Sequence, residues 1–477
     1  MCCFGLIKKL DLCSFGLVKK LDLCYDASMK RKIYDDLLNW KDKNGKSALL
    51  VQGARRVGKS YIVEEFAQAE YESYILIDFN MANQQIKDIF INDLNDLDGF
   101  FLKLSTFYNI ELYTRKSLII FDEVQLFPRA RSAVKYLVAD GRFDYIETGS
   151  LISIRENVKD ILIPSEEDHI NMYPMDFEEF LWALGNEKVM ELIRHCFDNM
   201  IPLGQALHRK TMDLFRQYLI IGGMPQVVES YTANRSFTEI DEIKRRILSL
   251  YRDDIRKHGK GYEMKLEAIY DELPSQLKKH NRHFKLSSLK EGARFEEYKN
   301  ALFWLSDAMI VNNCYNSTEP NIGLNLNRDR TLLKCYMNDT GLLVSHAFNE
   351  KSIVSEEIYK KLLLDKLEVN LGMVLENVVA QMLVASGHKL YFYSNPSRDD
   401  TASRMEIDFL LAKSKISNRH NISPIEVKSA KNYTLTSLKK FRAKYGGQLH
   451  TPYVLHTNDL KVVEGITFLP IYMTPLL

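Results

Sequence analysis

Residues 53–60 read GARRVGKS, two glycines, a lysine and a serine at fixed spacing, lying directly after the apolar run SALLVQGA (47–54) and before a helix-patterned stretch at 58–69. That placement constrains the fold more than any other feature of the chain, because a loop of this kind works only between a buried strand and the start of a helix. Gly53 and Gly58 let the backbone curl so that the N–H groups of the loop, Ala54, Arg55, Arg56 and Val57 included, point at phosphate oxygens, and the helix adds its positive dipole end. In this pattern Lys59 reaches the β- and γ-phosphates and Ser60 ligates Mg²⁺, so the expected ligands are ATP and Mg²⁺.

The flanking sequence agrees with such a unit. Apolar runs at 74–80, 117–123 and 144–150 alternate with helical patterns at 83–92 and 129–139, which predicts βαβ units and a parallel sheet covered on both faces. HINMYPM (169–175) offers a fifth strand. The run SLIIFDE ends in Asp122 and Glu123 at the carboxyl end of its strand, 63 residues beyond Lys59. Asp122 is placed to hold Mg²⁺ through water, and Glu123 to polarise the water that attacks the γ-phosphate. The next strand ends at Thr148-Gly149-Ser150. Either Ser150 or Thr148 senses the γ-phosphate, or these residues simply close a strand-end turn.

Beyond about residue 176 the periodicity is helical, broken at IIGGMP (220–225), where two glycines and a proline force a turn. The chain as a whole is nearly neutral, with 64 Lys and Arg against 63 Asp and Glu, so any contact with nucleic acid has to come from a local patch. Residues 278–294 supply one, with Lys278, Lys279, Arg282, Lys285, Lys290 and Arg294 against Glu291. Helical patterns at 264–279, 286–291 and 294–307 followed by strand-like MIVNNCYN predict a winged helix. Two readings of its basic face are open: contact with DNA phosphates, or a docking surface for another domain.

GARRVGKS, IIFDEVQ, TGS, MYPMDFEEF and IGGMP, in this order, resemble the prokaryotic AAA-superfamily ATPases that join an N-terminal ATPase domain to a C-terminal domain of uncharacterised function. The resemblance implies a Walker A lysine at Lys59, Walker B acids at Asp122 and Glu123, a winged-helix segment and a nuclease-like C-terminal domain. No arginine finger is assigned among Arg129, Arg131, Arg142 and Arg155. The expected organisation is a repetitive extension (1–28), a P-loop ATPase domain (29–175), a helical and winged-helix region (176–345) and the C-terminal domain (346–477). In fold class this is α/β: a P-loop NTPase parallel sheet, then a helical and winged-helix segment, then a restriction-endonuclease-like α/β unit.

In the last part a helix around 371–387 precedes strands at 390–394, 406–412 and 423–430. Glu426 and Lys428, two apart on a strand, share one side of it. With the Asp408 strand alongside, and Glu376 on the helix, carboxylates and an ammonium meet at one sheet edge, an arrangement suited to a hard Mg²⁺ ion with Lys428 orienting bound water or neutralising charge on a phosphodiester. The four positions resemble the PD-(D/E)xK nucleases, although Ile407 stands where the proline of that name would be. Glu406 shares the side of Asp408 and is either a further acid of the cluster or the polar outer face. The domain is read either as a DNA-cleaving site gated by ATP or as a platform for partners without cleavage.

Seven cysteines form no disulfide framework: four fall in the first 24 residues, and Cys196, Cys314 and Cys335 read as buried thiols of a reducing, cytoplasmic compartment. The segment CFGLIKKLDLC (3–13) is repeated as SFGLVKKLDLC (14–24) with nine of eleven positions identical. It lacks the pattern of a signal peptide and reads either as an extension without a functional role or as a partner-binding helix with Leu6, Leu10, Leu17 and Leu21 on one apolar stripe. No apolar run approaches the roughly 18–20 residues of a membrane span, so no membrane contact is expected. A homo-oligomer is among the expected assemblies.

Overall fold

The computed structural model describes residues 29–149, 166–259, 261–278, 289–321, 323–348, 357, 361, 371–396, 403–412, 421–430 and 432–477. The repeated extension, Ser150, Arg155 and residues 279–288 of the basic segment lie outside them.

The first described helix, α1 (Ile33–Lys41), buries Ile33, Leu37 and Trp40 and leads into β1 (Ala48–Gly53). There follow α2 (Lys59–Glu70), β2 (Ser73–Asp78), α3 (Gln84–Asn92), α4 (Leu97–Tyr108), β3 (Ser117–Asp122), α5 (Pro128–Asp140), β4 (Asp144–Gly149) and β5 (Glu167–Met172). The five strands are all parallel and run in the order β2-β3-β4-β1-β5. Along β1, Leu49 and Val51 enter one core with Ile62, Val63 and Phe66 of α2, while Ala48 and Leu50 enter a second with Phe90, Phe100 and Leu137. Burial on both faces is why β1 and β3 read as apolar runs. The fifth strand takes the edge beside β1. Helix α4, capped by the Asp96 side chain, was not anticipated from the sequence.

The middle of the chain comprises α6 (Phe177–Ala183), α7 (Glu187–Asp198), α8 (Gln205–Ile221), α9 (Pro225–Asn234), α10 (Phe237–His258), α11 (Glu263–Lys278), α12 (Phe295–Asp307), the antiparallel hairpin β6 (Val311–Ser317) and β7 (Arg328–Met337), and α13 (Thr340–Ala347). The glycine turn of IGGMP lies between α8 and α9. Gly222 has φ +80°, and a Cβ on Gly223 would fall 2.0 Å from the Met175 carbonyl oxygen. In return the Gly223 carbonyl accepts from the Met175 N–H at 2.7 Å, and its N–H donates to Asp339 Oδ2 at 2.6 Å. Asp339 also caps α13 through the Leu342 N–H. The motif therefore pins three segments together by backbone approach. Of the expected winged-helix elements, two helices and the hairpin are α11, α12 and β6–β7; of the short helix expected at 286–291, residues 289–291 form turn and bend and 286–288 lie outside the described residues.

The C-terminal part is α14 (Leu371–Ala385), β8 (Tyr391–Asn395), β9 (Met405–Ile407), β10 (Phe409–Ala412), β11 (Ile422–Val427), α15 (Thr436–Tyr445), β12 (Tyr453–His456), β13 (Lys461–Val463) and β14 (Ile466–Pro470). Two sheets result, β7-β6-β8-β9 and β10-β11-β12-β14-β13. The hairpin of the middle region thus shares a sheet with strands of the C-terminal part, β6 pairing in parallel with β8. The expected single strand through Asp408 is broken there. Asp408 stands at the bend where the chain leaves the first sheet as β9 and enters the second as β10.

Candidate nucleotide site and C-terminal carboxylate cluster

The carboxyl ends of β1, β3 and β4 meet at one edge of the parallel sheet, with β4 between the other two. Gly53 cannot carry a side chain, because a Cβ would lie 2.5 Å from the Met172 carbonyl of β5. Gly58 has φ +97°, a left-handed backbone that glycine adopts without penalty, and α2 begins at the next residue. Ala54 and Val57 point into the core, whereas Arg55 and Arg56 are exposed. Lys59 is buried, and its ammonium donates to the carbonyl oxygens of Gly53 and Ala54, each at 3.0 Å. Burial pulls its pKa below the ordinary lysine value, opposed by the carboxylates of Glu123 and Asp122.

Ser60 Oγ donates to Asp122 Oδ1 at 2.7 Å, and the same oxygen accepts from the Thr148 hydroxyl. Two hard oxygen donors side by side on a helix start and a strand end suit Mg²⁺, which takes oxygen ligands. Glu123 has φ +52°, an uncommon conformation for a non-glycine residue and one that concentrates at functional sites. Its carboxylate accepts from the Gln125 amide, and its N–H donates to Thr148 Oγ1 at 3.4 Å. Of the two sensor candidates, Thr148 is fully buried against Asp122, and Ser150 lies outside the described residues.

Residues far along the chain also hold the loop. Arg31, buried, donates to the Val57 carbonyl at 2.9 Å, to the Tyr173 carbonyl at 2.6 Å and to Glu179 at 3.1 Å. Glu179 forms a capping box with Asp176, so MYPMDFEEF serves to fix Arg31 against the loop. From α10, Tyr251 donates to the Arg55 carbonyl at 3.1 Å and Asp254 pairs with the Arg55 guanidinium at 2.6 Å. Among the arginines left open as fingers, Arg131 is buried against Glu167 at 2.8 Å, Arg142 pairs with Asp98 and Asp140, and Arg129 donates to the carbonyls of Phe90 and Ile91.

Residues 45–181 match the family described as AAA domain, residues 212–352 a domain of unknown function (DUF8612), and residues 371–473 another (DUF4143). The chain carries an AAA-type ATPase domain. Among solved structures it is similar to a Walker-type ATPase of Pyrococcus abyssi, with 14% identity over 67% of this chain and 96% of that one and a TM-score of 0.38. It is also similar to the Aeropyrum pernix Orc1 protein in complex with DNA (11% identity, 68% and 94% of the two chains, TM-score 0.27) and to Drosophila ORC bound to DNA (12%, 68% and 97%, 0.28). No curated protein matches the chain.

In the C-terminal part the predicted residues do come near one another, with an addition. Asp408 Oδ2 accepts from the Val427 N–H at 2.9 Å, which ties the bend to β11, and Lys428 Nζ lies 2.6 Å from Glu426 Oε2. Glu426 is buried, and its pKa is raised by that burial and by Asp408 against the pull of Lys428. The addition is Lys334 of β7. Its ammonium lies 3.1 Å from Glu406 Oε1, 3.6 Å from Glu376 Oε2 and 3.7 Å from Asp408 Oδ1. Tyr336, two residues on, donates to Glu376 at 3.1 Å. Among the described residues no three His, Cys, Asp or Glu side chains are grouped to hold a metal ion. The expectation that Glu376, Asp408 and Glu426 ligate Mg²⁺ meets two ammonium groups already placed on those carboxylates. The Lys334 ammonium and Glu426 Oε2 are buried without a hydrogen-bond partner, so these contacts are charge pairs and not hydrogen bonds. Sequence reasoning passed over Lys334, although a lysine inside the apolar run TLLKCYM is itself a signal, since lysine is almost never fully buried unless paired.

No described helix is long and apolar enough to cross a membrane, and Cys196, Cys314 and Cys335 are free and buried.

Proposed function

We propose that the protein hydrolyses ATP in its AAA-type domain and uses nucleotide state to alter how the helical and C-terminal regions engage a partner. The observation that carries this reading is the convergence of Lys59, Ser60, Asp122, Glu123 and Thr148 at one sheet edge. When the triphosphate arrives, the Lys59 ammonium exchanges the loop carbonyls for phosphate oxygens. Ser60 and Asp122 would hold Mg²⁺, which would neutralise charge on the β- and γ-phosphates. Glu123, released from Gln125, accepts a proton from the attacking water, and Thr148 keeps Asp122 oriented.

The C-terminal domain acts, in this reading, as a platform rather than a nuclease, because Lys334 of β7 stands among Glu376, Glu406 and Asp408. The partner we infer is DNA, on the charge surplus of residues 278–294; binding should weaken steeply with salt. The arginine finger is inferred to come from a second copy, since Arg131 and Arg142 are committed to carboxylates of their own chain. The decisive measurement is ATP turnover by purified wild type, Lys59→Ala and Glu123→Gln. Lys59→Ala is expected to lose turnover, and Glu123→Gln to bind ATP yet turn over about 10²- to 10⁴-fold more slowly. Unchanged turnover in Lys59→Ala would refute the reading.

A further inference from the structure

Lys334 enters the C-terminal carboxylate cluster from outside the C-terminal segment. It stands on β7, within the segment matched as DUF8612, whereas Glu376, Glu406, Asp408 and Glu426 all belong to the segment matched as DUF4143. The lysine is 4% exposed at its side chain. Its Nζ has three carboxylates within 4 Å and the Phe392 ring centroid at 5.2 Å, so its surroundings are a cage of negative oxygens closed by an aromatic face.

An ammonium taken out of water costs several kcal/mol, and only close opposite charge offsets that cost. Here three carboxylates stand within 4 Å of it. The same geometry works against a divalent ion, which would have to share Glu376 and Asp408 with a fixed positive charge 3–4 Å away at low dielectric.

We propose that Lys334 is the resident cation of this cluster: it takes the place a metal ion would fill, offsets part of the negative charge of Glu376, Glu406 and Asp408, and thereby makes the C-terminal acids a metal-independent joint between β7 and the C-terminal sheets. The joint does not depend on ATP turnover, so loss of the ATPase reading would leave it untouched.

Mn²⁺ uptake by the nucleotide-free, full-length protein, followed through the paramagnetic resonance of free Mn²⁺, tests the proposal. Wild type and Asp408→Asn are expected to take up the same amount, since the cluster binds none. Lys334→Met should gain one Mn²⁺ site, about tenfold or more tighter than any Asp408-dependent binding in wild type, and lose it again in the Lys334→Met, Asp408→Asn double variant. Lys334→Arg, which keeps the charge, should behave as wild type. A wild-type Mn²⁺ site that Asp408→Asn removes would overturn the proposal, as would a folded Lys334→Met variant that gains no site. Should Lys334→Met not fold, the wild-type and Asp408→Asn comparison decides alone.

Discussion

At the scale of single residues, the nucleotide site depends on short polar contacts made by buried groups. Thr148 is the sharpest case, because its methyl and backbone are enclosed and only its hydroxyl reaches Asp122. Thr148→Val preserves shape and removes both the hydrogen bond to the charged Asp122 oxygen, worth about 1.5–3 kcal/mol, and the acceptor of the Glu123 N–H, so kcat for ATP should fall about ten- to hundredfold while the fold persists. Unaltered kcat would remove Thr148 from the site. A second residue contributes to acid stability. His456 is 1% exposed, receives the Tyr433 hydroxyl at Nδ1 (3.0 Å) and lies with Nε2 3.3 Å from the Asp459 carbonyl, the pattern of a neutral ring. Burial pushes its pKa down to about 4 from the ordinary 6.5. The unfolded chain therefore takes up a proton that the folded one refuses, so the stability contribution is intact above pH 6.5 and is lost as the pH falls toward 4. The loss is about 3 kcal/mol in full, visible as a falling denaturation midpoint that His456→Gln should flatten.

At the scale of elements, glycine placement and capping decide how the ATPase sheet meets the helices that follow it. The α8–α9 turn is the clearest example. At Gly223 a methyl group would run into the backbone of Met175, which has no side-chain freedom with which to yield. Gly223→Ala should destabilise the protein by about 2–4 kcal/mol, beyond an ordinary surface change, and lower the thermal midpoint even with Lys59 and Asp122 intact. A midpoint within error of wild type would contradict the close approach. Much of this was legible: the P-loop, the strand runs, the Asp122-Glu123 strand end and the glycine turn all follow from local spacing. Helix α4 was not, because its mixed run LDGFFLKLSTFY has only the modest apolar stripe of a surface helix, and its stop depends on Asn109 in a left-handed cap. The break at Asp408 was equally hidden, since Met405 to Ala412 reads as one strand until two different sheets compete for its halves.

At the scale of the whole molecule, the loop that would hold phosphate is also where the second matched segment touches the first. The Arg55–Asp254 pair is partly exposed on both sides, 46% and 27%, and such pairs are worth no more than about 1 kcal/mol. Asp254→Asn should therefore leave thermal stability nearly unchanged. It should reduce the difference that ATP makes to proteolytic protection of α10, because the loop's own link to that helix is weakened; an undiminished ATP effect would exclude Arg55 as that link. What the sequence by itself determined was whatever rests on neighbours in the chain: a strand, a loop of N–H groups and a helix at Lys59, an acidic strand end at Asp122, the order of acids and lysine in the C-terminal part. What only the tertiary structure decided was which distant groups share a volume. Arg31 against Val57, Asp254 against Arg55, Thr148 against Asp122 and Lys334 among Glu376, Glu406 and Asp408 are brought together by sheet order and helix packing, and charge in a buried site is neutralised by whatever lies within a few ångströms, however far away it is in the chain.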